Sequence, residues 1–306
     1  MRYNILMSIK LPKIFLDSGD PEETKKAKGL IGFLDGQTTN PSLVIKNPEI
    51  QKYMESGKKL TEKELLNLYK GIIQELDKNM AGPVSVETYA DWDTKAETML
   101  AQAEDMYTWG KNIYMKFPTI PEGLKAANMF VAKGGRVNMT LVFTQEQAAA
   151  VYAATLPATQ TSFISPFMGR WDDRGFDGQD LIKNIYKMYK KFSLQNKSKI
   201  DTSHTKTHVS ILAASIRSLD HFYGAIVYGA DAITVPIKIL YEWVQEEKWM
   251  PDEHYRSSVS GLKSLVYRDL PLNEDFTSYD FDKAEGSLLD EGLKKFVADW
   301  KKLIQK

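Results

Sequence analysis

The stretch NIYMKFPTIPEGLKAANMFVAKGGRVNMTLVF, residues 112–143, reads as one strand–helix–strand unit. In residues 112–118, Ile113, Met115 and Phe117 fall on one side of an extended chain, and Tyr114 and Lys116 on the other. Pro121 opens a helix at the position where a missing N–H costs nothing, and Gly134-Gly135 closes it. Residues 136–143 then return as a second β-rich run. Outward from this unit, similar short runs stand at 14–18, 36–40, 84–88, 162–167, 208–215 and 232–236, which makes eight in all. Helical patterns separate them, so the sheet is expected to be parallel. Eight such units in 306 residues fit a closed (β/α)8 TIM barrel better than an open sheet.

The helices between the runs carry their own signals. Asp20-Pro21-Glu22-Glu23 offers an N-cap, a proline at the first helical position and acids at the positive end of the dipole. Thr94-Lys95-Ala96-Glu97 reads as a capping box, and Thr144 with Gln147 opens a further helix. After Pro236 the pattern changes: 245–282 is charged and broken by Pro251 and Pro271, and 288–304 reads as an amphipathic helix with Leu289, Leu293, Phe296, Val297, Trp300 and Leu303 on one face. The expectation is one domain over 1–306, with 241–306 as a C-terminal helical extension packed on the barrel.

Composition narrows the function classes. Forty basic and forty acidic side chains give zero net charge, whereas a general phosphate-backbone binder carries a basic excess, so no nucleic-acid partner is expected. The chain has no cysteine, which excludes disulfides, thiolate metal sites and cysteine nucleophiles. Lys10, Pro12 and Lys13 interrupt the apolar N-terminal stretch, and no apolar run reaches the length of a membrane span. A cytoplasmic protein without a membrane partner is expected. His204 and His208 stand four apart, but a strand begins near them and no third ligand is in view, so no metal is expected.

Parallel barrel strands are buried on both sides, so polar residues within them are informative. Lys116 points to the barrel mouth by alternation; Asp17 and Glu87 lie late in the first and third runs; Asn138 and Thr140 share a side of the fifth; Ser165 ends the sixth; and Arg217 follows the seventh. Barrel active sites assemble at the C-terminal ends of strands, where all of these converge. A lysine desolvated there becomes an amine nucleophile for a carbonyl, with carboxylates to move protons. Taken alone, Lys116 reads more readily as a lysine snorkelling out at a strand end or paired with a carboxylate; Glu87 and Asp17 on neighbouring strand ends bring the catalytic reading level with it. Asp17 alone reads as a turn or N-cap acid, and Glu87 as an ion-pair partner.

All of these residues except Glu87 stand in motifs that resemble the transaldolase family. Ile14-Phe15-Leu16-Asp17-Ser18, Gly36-Gln37-Thr38-Thr39-Asn40-Pro41-Ser42-Leu43, Asn112 to Pro118, Asn138 to Phe143, Ile164 to Arg170 and Ala213 to Arg217 match its blocks in order, from about residue 14 to 240. The resemblance implies a barrel enzyme that moves a dihydroxyacetone unit between ketose and aldose phosphates of the non-oxidative pentose phosphate pathway. Lys116 would form the Schiff base and Asp17 would take the proton of the sugar hydroxyl. Glu87 and Thr140 would hold the water that shuttles protons. Asn40 and Asn138 would hold the dihydroxyacetone hydroxyls and enamine, and Ser165, Arg170 and Arg217 the phosphate. Phe167 stands where transaldolases have phenylalanine and the related fructose-6-phosphate aldolases tyrosine. No metal or organic cofactor is implied, because the imine is the electron sink. The partners implied are sugar phosphates, and a homo-oligomer is compatible with the pattern. Two rival readings stay open: a fructose-6-phosphate aldolase on the same scaffold, and a barrel that has lost catalysis and serves as a scaffold.

Overall fold

Eight parallel strands pair in chain order and the eighth closes on the first: β1 (Lys13–Asp17), β2 (Gly36–Thr38), β3 (Val84–Glu87), β4 (Ile113–Pro118), β5 (Val137–Val142), β6 (Ser162–Pro166), β7 (Val209–Ala213) and β8 (Ala232–Val235). This computed structural model describes residues 10–57, 60–195, 200, 203–257 and 259–302. All eight expected runs are strands, and helices lie between them as a (β/α)8 TIM barrel requires. Residues 1–9, which carry most of the apolar N-terminal stretch, lie outside the described residues. Among the described residues, no helix is long and apolar enough to cross a membrane.

The barrel interior is apolar at the N-terminal end and polar above it. Phe15, Tyr114, Phe163, Leu212 and Ala232 pack together low in the barrel, with Phe163 edge-on to Phe15 at 5.7 Å between ring centres. Gly36 stands opposite Phe15 in the register, and a Cβ there would come within 2.6 Å of the Phe15 ring. The aromatic plug therefore depends on that glycine. One step further up each strand, the inward residues include Asp17, Thr38, Glu87, Lys116 and Thr234.

Helix starts follow the sequence in most places. Asp20 accepts from Glu22 N, and Thr144 and Gln147 form a capping box. Thr94 does not cap the next helix, Ala96–Met106. Its hydroxyl donates to Asp91 Oδ1 at 2.6 Å, and the free amide of Ala96 is met instead by Glu122 Oε2 at 3.0 Å. A tertiary carboxylate has taken the place of the local cap, which local sequence could not foretell.

The C-terminal helix Leu288–Lys301 buries Leu289, Leu293, Phe296 and Trp300 as its periodicity required, while Val297 is only half-buried and Leu303 lies outside the described residues. It packs against β5 at an irregularity. The register of β5 against β6 shifts between Met139 and Val142, and Leu141 there adopts φ +59°, a left-handed conformation that a leucine rarely takes. Gly292 of the helix lies so close that a Cβ would stand 2.9 Å from Leu141 Cδ2. Further ties are Trp92 Nε1 donating to Asp290 Oδ1 at 2.9 Å and Ser42 donating to Asp299.

His204 and His208 turn to different partners. The exposed His204 lies beside Asp231, whereas His208 is buried, with Nε2 3.2 Å from the Tyr152 carbonyl. Burial holds the His208 pKa down at about 4, against an ordinary 6.5. The unfolded chain therefore binds the extra proton between pH 6.5 and about 4, so folding stability is lost as pH falls through that window. The loss expected from this one group is about 3 kcal/mol. His208→Gln should flatten the corresponding part of the stability–pH curve in urea melts; an unchanged slope would mean that His208 stays accessible to protons when folded.

Candidate active site

A cavity of about 280 Å³ opens at the C-terminal end of the strands, and Lys116 lies at it. Lys116 alternates inward on β4 as expected, and only 4% of its side chain is exposed. Its Nζ lies 2.9 Å from Glu87 Oε2 and donates to the Thr39 carbonyl at 2.8 Å. Glu87 stands beside it in the β3–β4 register. The ion-pair reading and the catalytic reading of Lys116 thus meet in one contact. The Glu87 main-chain N donates to the hydroxyl of Tyr69, which also contacts Thr39 Oγ1 at 3.2 Å and packs edge-on to Trp300 of the C-terminal helix.

Asp17 lines the cavity from β1. Its Oδ1 accepts from Thr38 Oγ1 at 2.7 Å, and Thr38 in turn contacts Thr234 Oγ1 at 2.6 Å. Burial pushes the Asp17 carboxyl above its ordinary pKa, outweighing the Thr38 hydrogen bond and the charges of Lys116 and Lys46. Burial also raises Glu87, against the pull of the Lys116 ammonium, and the nearby Asp17 adds to the rise. Two carboxyls whose burial favours the protonated form, close to one amine, are equipped to take up and return protons.

The amides are held rigidly. Asn138, next to Lys116 in the β4–β5 register, donates from Nδ2 to Ser85 Oγ at 3.0 Å and accepts at Oδ1 from Ser165 Oγ at 2.7 Å. Asn40 caps the short helix Pro41–Val44 by accepting from Leu43 N at 3.0 Å, which fixes its side chain at the cavity wall. Thr140 also lines the cavity, and its buried Oγ1 has no partner among the described residues. A hydroxyl so placed is stabilised by a ligand that pairs with it. Phe167 faces the cavity half-buried, edge-on to Phe143 at 5.5 Å.

The arginines gather at the rim. Arg170 lines the cavity; burial and the like charge of Arg217 press its guanidinium below its ordinary pKa. Arg217 does not line the cavity itself, but Ser215 of its loop does, and its guanidinium pairs with Asp173. Arg170, partly desolvated and facing the like charge of Arg217, is a cation that an anion at the rim would relieve.

Several wall residues were not singled out from sequence. Thr38 and Thr234 could have been found by the alternation that found Lys116. Ser42 lies in the short helix Pro41–Val44, Lys46 in the turn after it, and Ser215 in the loop that follows β7. Lys295 and Phe296 come from the C-terminal helix, which had no signal beyond amphipathicity.

The sequence profile described as Transaldolase/Fructose-6-phosphate aldolase matches residues 14–306. The chain belongs to the transaldolase/fructose-6-phosphate aldolase family. It is 38% identical over 226 residues to a "Probable transaldolase" of Leptospira biflexa, covering 74% of this chain and 87% of that one. Over 296 residues it is 33% identical to a "Probable transaldolase" of Brucella ovis, covering 96% and 99%. The match runs through the C-terminal helix, so that helix is a family element of this chain.

Proposed function

We propose that this family member is a transaldolase that carries a dihydroxyacetone unit on Lys116 between ketose and aldose phosphates, as in the non-oxidative pentose phosphate pathway. The observation that carries this reading is the buried Lys116 amine, 2.9 Å from a carboxyl with a raised pKa and beside Asp17 in the same pocket. The amine attacks the ketose carbonyl, Glu87 and Thr140 guide the proton and water exchange that completes the imine, and Asp17 removes the proton of the C4 hydroxyl as the carbon–carbon bond breaks. The enamine stays on Lys116, held through Asn40 and Asn138. Ser165, Arg170 and Arg217 recognise the phosphate end, where the planar guanidinium fork suits a phosphate. The test is to supply fructose 6-phosphate with erythrose 4-phosphate and assay sedoheptulose 7-phosphate and glyceraldehyde 3-phosphate.

The division between transferase and aldolase rests on Phe167. A phenyl ring can neither donate a proton nor hold a water, so the enamine waits for an aldose. Release of free dihydroxyacetone should be slow beside transfer, and Phe167→Tyr should raise it by up to about 100-fold while transfer falls. If the parent releases dihydroxyacetone as fast as it transfers it, the aldolase reading replaces this one.

A further inference from the structure

A buried histidine joins the turn that carries Arg217 to the short helix Gly169–Asp172 that carries Arg170. His221 lies in the first turn of the helix Leu219–Val227, where Ser218 already caps by accepting from its main-chain N at 3.2 Å. The His221 ring, in a residue only 3% exposed, makes two more contacts. Nδ1 accepts from the main-chain N of Arg217 at 3.3 Å, and Nε2 lies 2.6 Å from Asp172 Oδ2. The other Asp172 oxygen accepts from Gly178 N at 3.0 Å. One tautomer serves both ring contacts. Nδ1 must carry the lone pair that faces an N–H, so Nε2 carries the proton, and Asp172 selects that arrangement.

The backbone held this way is strained. Ser215, two residues before Arg217, has φ +58°, and its carbonyl accepts from Gly169 N at 3.1 Å. The Arg217 side chain runs so close over the β6 loop that a Cβ on Gly169 would stand 2.5 Å from Arg217 Nε. Residues in sparsely populated backbone regions persist only where their surroundings over-determine them. On one side of Ser215 that support is the β6 loop; on the other it is the His221–Asp172 pair.

We infer that His221 and Asp172 are positioning residues for anion recognition: they fix the main chain of Arg217 and so the strained turn that presents Ser215 and Arg217 to the phosphate end of the substrate. This inference rests on the phosphate role proposed above for Arg170 and Arg217. A helix cap alone would act on stability and treat all substrates alike, whereas positioning of the anion grip separates phosphorylated from unphosphorylated ones.

The experiment compares fructose 6-phosphate with unphosphorylated dihydroxyacetone as donors, each with unphosphorylated glyceraldehyde as the acceptor, and measures kcat and KM separately. His221→Leu, which removes both ring contacts, should raise KM for fructose 6-phosphate about tenfold, the scale of one or two hydrogen bonds, with dihydroxyacetone turnover within about twofold of the parent. His221→Asn keeps an acceptor close to the Nδ1 position and should restore most of the loss. Asp172→Asn, which cannot accept from both Gly178 and His221, should show the same selectivity more weakly and serves if His221→Leu does not fold. Equal losses on both donors, or an unchanged KM in folded variants, overturn the inference. Arg217→Ala is the control for the underlying reading: it should weaken fructose 6-phosphate about ten- to a hundred-fold and spare dihydroxyacetone. If Arg217→Ala does not discriminate, the phosphate reading fails and the inference falls with it. If it does discriminate and the His221 and Asp172 variants do not, only the inference fails.

Discussion

Lys116→Met is expected to abolish transfer, with a loss on the order of 10⁴ to 10⁶-fold, the scale seen when a covalent nucleophile is deleted. Methionine keeps an unbranched apolar stem of nearly the same length and removes the amine. Borohydride added to the parent with fructose 6-phosphate should reduce the imine to a stable secondary amine, and peptide mapping should place it on Lys116. An adduct on another lysine, or none, would sink the Schiff-base reading. The variant has a second, separable consequence. Glu87, 4% exposed at its side chain, loses the cation 2.9 Å away. Removing one partner of a buried pair costs about 3–5 kcal/mol when the other stays charged. Glu87 is already raised by burial and would rise further, so folded Lys116→Met holds a proton that the unfolded chain releases. Its stability should therefore fall as pH rises from the ordinary carboxylate range through the raised Glu87 pKa. Adding Glu87→Gln should remove that pH dependence and restore stability without restoring activity. Recovery of transfer in the double variant would show that Lys116 is not the nucleophile.

Asp17→Asn and Glu87→Gln should each slow turnover about 10²- to 10⁴-fold, but at different steps. Glu87 lies beside the amine and its variant should slow imine formation, read as the rate of borohydride trapping. Asp17 is held by Thr38 on the neighbouring strand β2, and its variant should trap the donor at the parent rate while failing to release glyceraldehyde 3-phosphate. Since burial raises both carboxyls, a base that must be ionised loses activity as pH falls through a pKa above the ordinary carboxylate range. Asp17→Asn should remove its part of that acid limb. Equal trapping rates in both variants and the parent would overturn the division of roles.

The two carboxylates also show how far the sequence could be read. Alternation along 112–118 put Lys116 inward because strand side chains change sides at every residue, and the same parity placed Asn138 with Thr140. Parity gives a side but not a neighbour. It could not show that Glu87, among several carboxylates, is the one beside the amine; that follows from the β3–β4 register. Arg217 was legible as a residue just past a strand, but its Asp173 partner and its place at the rim were not.

The sequence by itself determined the eight strands, their order and the end of the barrel where polar residues collect, because local periodicity and caps are written in neighbouring residues. Its family motifs carried Lys116 and Asp17 as candidates for the chemistry, and strand position added Glu87. Tertiary structure alone decided the rest. The cap of the helix Ala96–Met106 comes from Glu122, and the strained bulge at Leu141 is matched by Gly292 of the C-terminal helix. That helix brings Lys295 and Phe296 to the cavity wall. Each of these joins residues far apart in the chain, and the contact exists only once barrel closure has fixed which surfaces meet.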